Sequence, residues 1–224
     1  MNERPPTDEL VDTERRRGNT YKLLAECFQT PDEELITLLE DVDAREVCLE
    51  IGELTDRISD DIESLRVEYA KLFVGPFEVL APPYGSVYLD DEARVMTHST
   101  LDVMHRYREV GLDTDLDEPA DHVAVELEFV YALIFQEIEA INQSDHDAAL
   151  EYRRRQREFL HTHLGRWVGE FTDKVETHAE TEFYQILARE TAAFVTEDVN
   201  SVSDRLEQFE NETAGDLLWT DDKS

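Results

Sequence analysis

Two histidine–glutamate pairs in this chain stand at helical spacing. His122 and Glu126 are four residues apart, and Glu158 and His161 are three apart, so each pair would share one helix face. A Glu-x-x-His unit is one of the pieces from which helical bundles build carboxylate-bridged di-metal sites. Such a site needs a second unit and two facing glutamates. Asp102 and His105 come nearest, with aspartate in place of glutamate. His161 and His163 are two apart and would point to different sides of a helix. In a chain this rich in acid one such match arises by chance, so no metal site and no cofactor are expected.

Nucleophiles are no better placed. Cys27 and Cys48 do not form a C-x-x-C pair, and Cys27 falls on the apolar face of a helix as a small hydrophobe. Ser86 follows Gly85 but lacks the G-x-S-x-G elbow of the hydrolases. Arg153, Arg154, Arg155 and Arg157 form a basic island, expected to be a solvated helix face paired with nearby acids. No catalytic residue emerges, and the chain does not read as an enzyme.

Two loops remain. Residues 82–88, Pro-Pro-Tyr-Gly-Ser-Val-Tyr, combine stiff prolines, a glycine and two aromatic rings. Such a segment can offer an aromatic ledge and free backbone groups to an extended peptide. Residues 118–122, Glu-Pro-Ala-Asp-His, precede a helix, and Asp121 there could accept hydrogen bonds from a guanidinium. Loop packing and helix capping explain the same residues equally well, and the residues alone leave both possibilities open.

The elements that must hold these loops are helical almost throughout. Tyr21, Leu24, Ala25 and Phe28 mark the core face of a helix over 12–29. Thr30-Pro31-Asp32-Glu33 reads as a helix start with Thr30 as its cap. The pattern continues through 45–58, and after a cap at Ser59 it runs to Gly75-Pro76. Residues 75–97 break it, with an extended-looking Ser86–Asp90, and this long loop draws attention to itself. Helical pattern resumes over 99–110, 119–142, 145–177 (broken near Gly165 or Gly169) and 180–196. The fold class is all-α: one compact multi-helix domain at 12–198, a flexible N-terminus at 1–11 and an acidic tail at 199–224 with some helix at 201–210.

The chain has 224 residues, 54 acidic against 21 basic side chains and a formal net charge of -33. That balance excludes nucleic acid as a default partner, because phosphate neutralisation needs Lys and Arg. Lysine occurs only at 22, 71, 174 and 223, while acid is spread over the whole length. This is the composition of a halophilic, salt-adapted surface; a surface for a cationic partner is the compatible alternative. In molar salt the Debye length is about 3 Å, so such a partner would need close hydrogen-bonded pairs and apolar contact. No apolar run has bilayer length, and the arginines at 15–17 are followed by Lys22, Glu26 and Asp32 rather than by an apolar segment. A cytoplasmic protein without stable membrane insertion is expected.

Residues 65–76 (LRVEYAKLFVGP), 81–112 (APPYGSVYLDDEARVMTHSTLDVMHRYREVGL) and 118–130 (EPADHVAVELEFV) together resemble a known family. So do 159–175 and 182–194, and the resemblance covers roughly 14–196. It is to the TorD-like and DmsD-like maturation chaperones of molybdenum oxidoreductases, nearer their dimethyl-sulfoxide reductase branch than the nitrate reductase branch. The resemblance implies an all-helical, non-enzymatic protein, monomeric or dimeric. Its partners would be the twin-arginine leader and the apo catalytic subunit of a molybdopterin enzyme, held back from export until the cofactor is inserted. It places the peptide site on Pro83, Tyr84, Gly85, Ser86 and Tyr88 of the first loop and Asp121 and His122 of the second. Members often carry Trp where this chain has Tyr84 and Tyr88. A helical adaptor for another partner, or a di-metal bundle enzyme using His122, Glu126, Glu158 and His161, are the competing possibilities.

Overall fold

The structure is a computed structural model and describes residues 6–49, 62–75, 78–90, 98–112 and 118–220. The helical pattern expected over 50–58 and the cap at Ser59 lie outside the described residues. The described residues form nine α-helices and no strand. These are α1 (Pro6–Cys27), α2 (Glu33–Asp41), α3 (Ile62–Tyr69), α4 (Ser86–Leu89), α5 (His98–Glu109), α6 (Val123–Asn142), α7 (His146–Thr162), α8 (Leu164–His178) and α9 (Glu182–Thr220). A π-helical turn, Ala70–Val74, continues α3. None of the described helices is long and apolar enough to cross a membrane.

The all-α class follows from the apolar stripes. Helix α6 lies at the centre: 13 of its 20 residues are buried, including Val123, Leu127, Val130, Ile134 and Ile138. Helix α1 packs along one side of it, where Gly18 lies against Ile134 and Tyr131, and α7 along another, where the Phe159 ring meets Phe129. Helix α8 lies against α9, so that Phe28, Phe73, Phe171 and Tyr184 meet in one aromatic cluster.

Several local expectations are corrected. The cap of α2 is Asp32, not Thr30, because the Asp32 carboxylate reaches the Leu35 amide at 2.9 Å. Residues 44–49 are turns and bends rather than helix, and the Arg16 side chain donates to the Val47 carbonyl at 2.9 Å. Residues 86–89 are a helical turn rather than extended chain. The 145–177 helix breaks at His163 (φ -125, ψ -98), ahead of either glycine. Gly165 serves close approach instead, since a Cβ there would overlap the Leu160 carbonyl oxygen and the Val199 side chain. The expected boundary at 198 falls inside α9, where Val202, Leu206 and Phe209 remain buried at helical spacing.

The basic island also divides differently from expectation. Arg154 and Arg155 pair with Glu210 and Glu151 on the surface. Arg153 turns inward and is 3% exposed. Its Nε donates to Glu137 at 2.9 Å, and its other donors reach Glu14 at 3.2 Å and the Arg205 carbonyl at 3.1 Å. Arg17 completes the network through Glu14 at 2.7 Å, Asp198 at 3.0 Å and Gln156. Gln156 in turn donates to Glu137 at 2.7 Å, and the Tyr21 hydroxyl donates to Asp198 at 2.6 Å. Helices α1, α6, α7 and α9 are thus joined by buried charges that satisfy one another.

Candidate functional site

The segment 78–90 is aimed by what precedes it. Gly75 leaves the π turn at φ +58, where a Cβ would meet the Glu78 carbonyl oxygen at 2.9 Å. The Ala81 amide then donates to Leu72 O at 2.9 Å. From there the segment is fastened to residues 118–123 by backbone. Tyr84 and His122 form an antiparallel bridge, the Gly85 amide donates to Asp121 O at 2.8 Å, and the Val123 amide donates to Pro83 O at 2.8 Å. The two loops singled out in the sequence therefore form one structure.

Asp121 holds that structure from below. It is fully buried, and its Oδ2 accepts from the Ser86 amide at 2.9 Å, at the start of α4. His122 caps α6, its Nδ1 accepting from the Ala124 amide at 3.2 Å. Burial lowers the His122 pKa to about 4, against a lesser opposing pull from Asp121, so the imidazole is neutral at pH 7 and suited to accept. The Tyr84 ring meets the His122 ring edge-on at 5.4 Å, and its hydroxyl donates to Glu118 at 3.3 Å. Pro83, Gly85 and Ser86 are buried; Tyr84 and Tyr88 are half-exposed. Of the seven expected site residues, then, the two tyrosines are half-buried and the other five positions hold them in place.

The sequence pointed to Glu126 only as a helical neighbour of His122, and the floor it makes with Trp167 was missed. The Trp167 indole donates to Glu126 at 3.0 Å, and the Tyr88 ring stacks on Trp167 with centroids 5.5 Å apart and planes at 20°. Gly85 sits directly above, where a Cβ would stand 3.0 Å from the indole nitrogen and 3.2 Å from Glu126 Oε1. The signal for Glu126 was an acid on the apolar stripe of α6; for Trp167 there was none, because it reads as ordinary core. Ser86 Oγ, Asp121 Oδ1 and Glu126 Oε1 are buried without a hydrogen-bond partner among the described residues. Glu158 and His161 lie elsewhere: Glu158 pairs with Arg106 at 3.0 Å, and His161 stands beside Ser203 on the surface. No group of three or more potential metal ligands gathers among the described residues.

Burial pushes the Glu126 carboxyl well above its ordinary value of 4.5; the Trp167 hydrogen bond opposes this and Asp121 adds to it. In the unfolded chain this group ionises above pH about 4.5, whereas in the folded chain it holds its proton to higher pH. Its contribution is therefore full below that pH and is lost as pH rises, at about 1.4 kcal/mol per pH unit, until the folded group ionises. Glutamine keeps an oxygen for Trp167 and cannot ionise. Glu126→Gln should stabilise the protein at pH 7 relative to pH 5, read as the difference between wild-type and variant urea midpoints. Parallel pH profiles for the two proteins would show Glu126 to be ionised in the fold.

The model of the family described as Nitrate reductase delta subunit matches residues 40–173, which include both loops and Trp167. The Tat proofreading chaperone DmsD of Salmonella typhimurium is 33% identical over 129 residues. That alignment spans 57% of this chain and 56% of the Salmonella protein, little more than half of each. The chaperone protein TorD of Shewanella pealeana is 26% identical over 226 residues, covering 89% of this chain and 96% of that one. The crystal structure of a redox enzyme maturation protein from Archaeoglobus fulgidus gives a TM-score of 0.57 at 28% identity, over 80% of this chain and 93% of that one. The likeness thus extends to the fold, to the segment carrying both loops, and to residues beyond the matched family segment. The chain belongs to the nitrate reductase delta subunit family and, within it, to the TorD/DmsD-like redox-enzyme maturation chaperones.

Proposed function

We propose that this chain is a cytoplasmic chaperone for a molybdopterin oxidoreductase of the dimethyl-sulfoxide reductase type. It binds the twin-arginine leader and the apo catalytic subunit and holds them for cofactor insertion before export. The observation that carries this reading is the clamped loop pair: two half-exposed tyrosines held above a buried carboxylate by backbone and side-chain bonds. The rings offer apolar and cation–π contact to a leader whose chemistry is two guanidinium groups and an apolar stretch. The names of the relatives, a Tat proofreading chaperone and a TorD chaperone, support the same assignment. The acidic surface suits a protein that works in molar salt, where short-range contacts of this kind survive screening.

The test is calorimetric titration, in molar potassium chloride, with synthetic leaders from the molybdenum enzymes of the same organism. One leader is expected to bind at least about 10-fold more tightly than its Lys-Lys counterpart, because lysine replaces a planar fork with a point charge. A scrambled leader should not bind. Equal affinity for the native, Lys-Lys and scrambled peptides would overturn the assignment and favour an adaptor for some other partner.

A further inference from the structure

The outward face of Tyr88 already carries a cation. Lys174 Nζ lies over the ring, 4.5 Å from its centroid. Lys174 is seven residues beyond Trp167 on α8, two turns or about 10.5 Å along the helix. With Trp167 stacked at 5.5 Å and Lys174 at 4.5 Å, the two side chains flank the ring. The ammonium also pairs with Glu170 at 3.3 Å, one turn back on the same helix. Glu170 lies close enough to Tyr88 to add to the effect of burial in raising the pKa of its hydroxyl. A π face and a carboxylate therefore converge on one position, and that position is filled by a flexible side chain of the protein itself.

The ring does not need the lysine to stay in place. The Tyr88 hydroxyl donates to Pro82 O at 2.8 Å, Trp167 supports one face, and Phe171 meets the ring at 6.4 Å. The chain also has only four lysines. Lys22 and Lys71 tie separate elements together by pairing with Glu128 and Glu180. The ion pair of Lys174 makes no such tie, since its carboxylate partner is on its own helix; its reach to another element is the contact with Tyr88. An i,i+4 pair of this kind on a partly exposed surface is weak. The geometry thus fits occupancy of a seat better than support of the fold.

We infer that Tyr88 and Glu170 form a seat for a guanidinium group, and that Lys174 is its resident placeholder, displaced when an arginine arrives. This rests on the leader-binding reading for the source of the arginine, but the seat itself is defined by its own residues. A guanidinium is the better occupant because it lies flat on a ring while its N–H fork engages a carboxylate. An ammonium makes one of these contacts well and the other as a point charge. Lys174 thereby sets a threshold: it competes with weak cations and yields to arginine.

Two probes separate the seat from the leader assignment. Arginine amide is titrated into the full chain while the Trp167 indole proton is followed by nuclear magnetic resonance, and the twin-arginine leader is titrated by calorimetry. Lys174→Ala should bind arginine amide about five-fold more tightly than wild type, since an exposed cation–π contact no longer competes. Lys174→Arg should bind it no better than wild type, and Glu170→Gln should bind it less well. Lys174→Gln repeats the first measurement should alanine disturb α8, with helicity checked by circular dichroism. Equal arginine-amide affinity in wild type, Lys174→Ala and Lys174→Gln would overturn the seat, whatever the leader does. A gain with arginine amide together with no leader binding by any form would leave the seat standing and sink the leader assignment alone.

Discussion

Arg153→Ala is expected to lower the unfolding free energy by about 3–5 kcal/mol, the loss typical of a buried ion pair broken on one side. The guanidinium of Arg153 faces Glu137 and Glu14, which are buried to the same degree as the arginine itself. Removing it leaves those carboxylates in a dry interior with Arg17 and Gln156 as their remaining partners. The alanine also removes both the apolar stem and the guanidinium, whose carbon lies over the Phe209 ring at 4.6 Å from its centroid. Arg153→Met separates these effects, because it keeps the apolar stem and loses only the charge and its donors. Most of the penalty should persist in Arg153→Met and be partly relieved in Arg153→Met with Glu137→Gln, where no charge of Glu137 remains to be solvated. Urea unfolding in molar salt, followed by circular dichroism, gives all three values. A loss under about 1 kcal/mol for Arg153→Ala would mean that the arginine is effectively solvated, as surface pairs are.

The same residue shows where sequence stops being informative. Ala149, Gln156 and Leu160 are buried, and Arg153 sits with them at the i−4, i+3 and i+7 positions of one helix face. The period places Arg153 on this inward face, whereas its residue type favours solvent. What decides the outcome is the presence of Glu14 and Glu137, which lie 139 and 16 residues away. No local pattern carries that information. The helical class was legible because apolar stripes are local and repeated, as in α6, where Val123, Leu127, Val130, Ile134 and Ile138 are buried as their spacing predicts, although burial there extends beyond the stripe to Glu126 and Glu137.

The loops obey the same division. Proline and glycine content marked 82–88, since those residues punctuate helices wherever they occur. That the loop is fastened to 118–123 was not legible, because its fastening bond joins residues 35 apart in the chain. Resemblance to a family linked the two loops, whereas physical reading of either one left its role open. The floor made by Trp167 and Glu126 was hidden for a further reason. Tryptophan on an apolar stripe is ordinary core, and its polar edge becomes noticeable only when the acid beneath it is found.

Within the proposed function, Asp121→Ala is expected to weaken leader binding by about 100-fold, and Asp121→Asn by about 10-fold, with helicity unchanged in both. The two variants divide two jobs of one carboxylate. Oδ2 accepts the Ser86 amide and so fixes the start of α4, from which Tyr88 projects. Asparagine keeps an acceptor for that amide; alanine does not, and leaves a buried N–H that costs about 1–3 kcal/mol. Oδ1 has no partner among the described residues, which makes it an acceptor already desolvated and ready for a charged donor. Asparagine forfeits that charge, so the 10-fold step measures charge and the further 10-fold step measures positioning. Because Asp121 is fully buried, a guanidinium can reach Oδ1 only if residues 83–86 shift aside, and the half-exposed Tyr84 is the part of the segment facing the approach. Wild-type affinity for Asp121→Asn combined with a large loss for Asp121→Ala would reduce Asp121 to a clamp. Wild-type affinity for both would move the leader off this loop altogether.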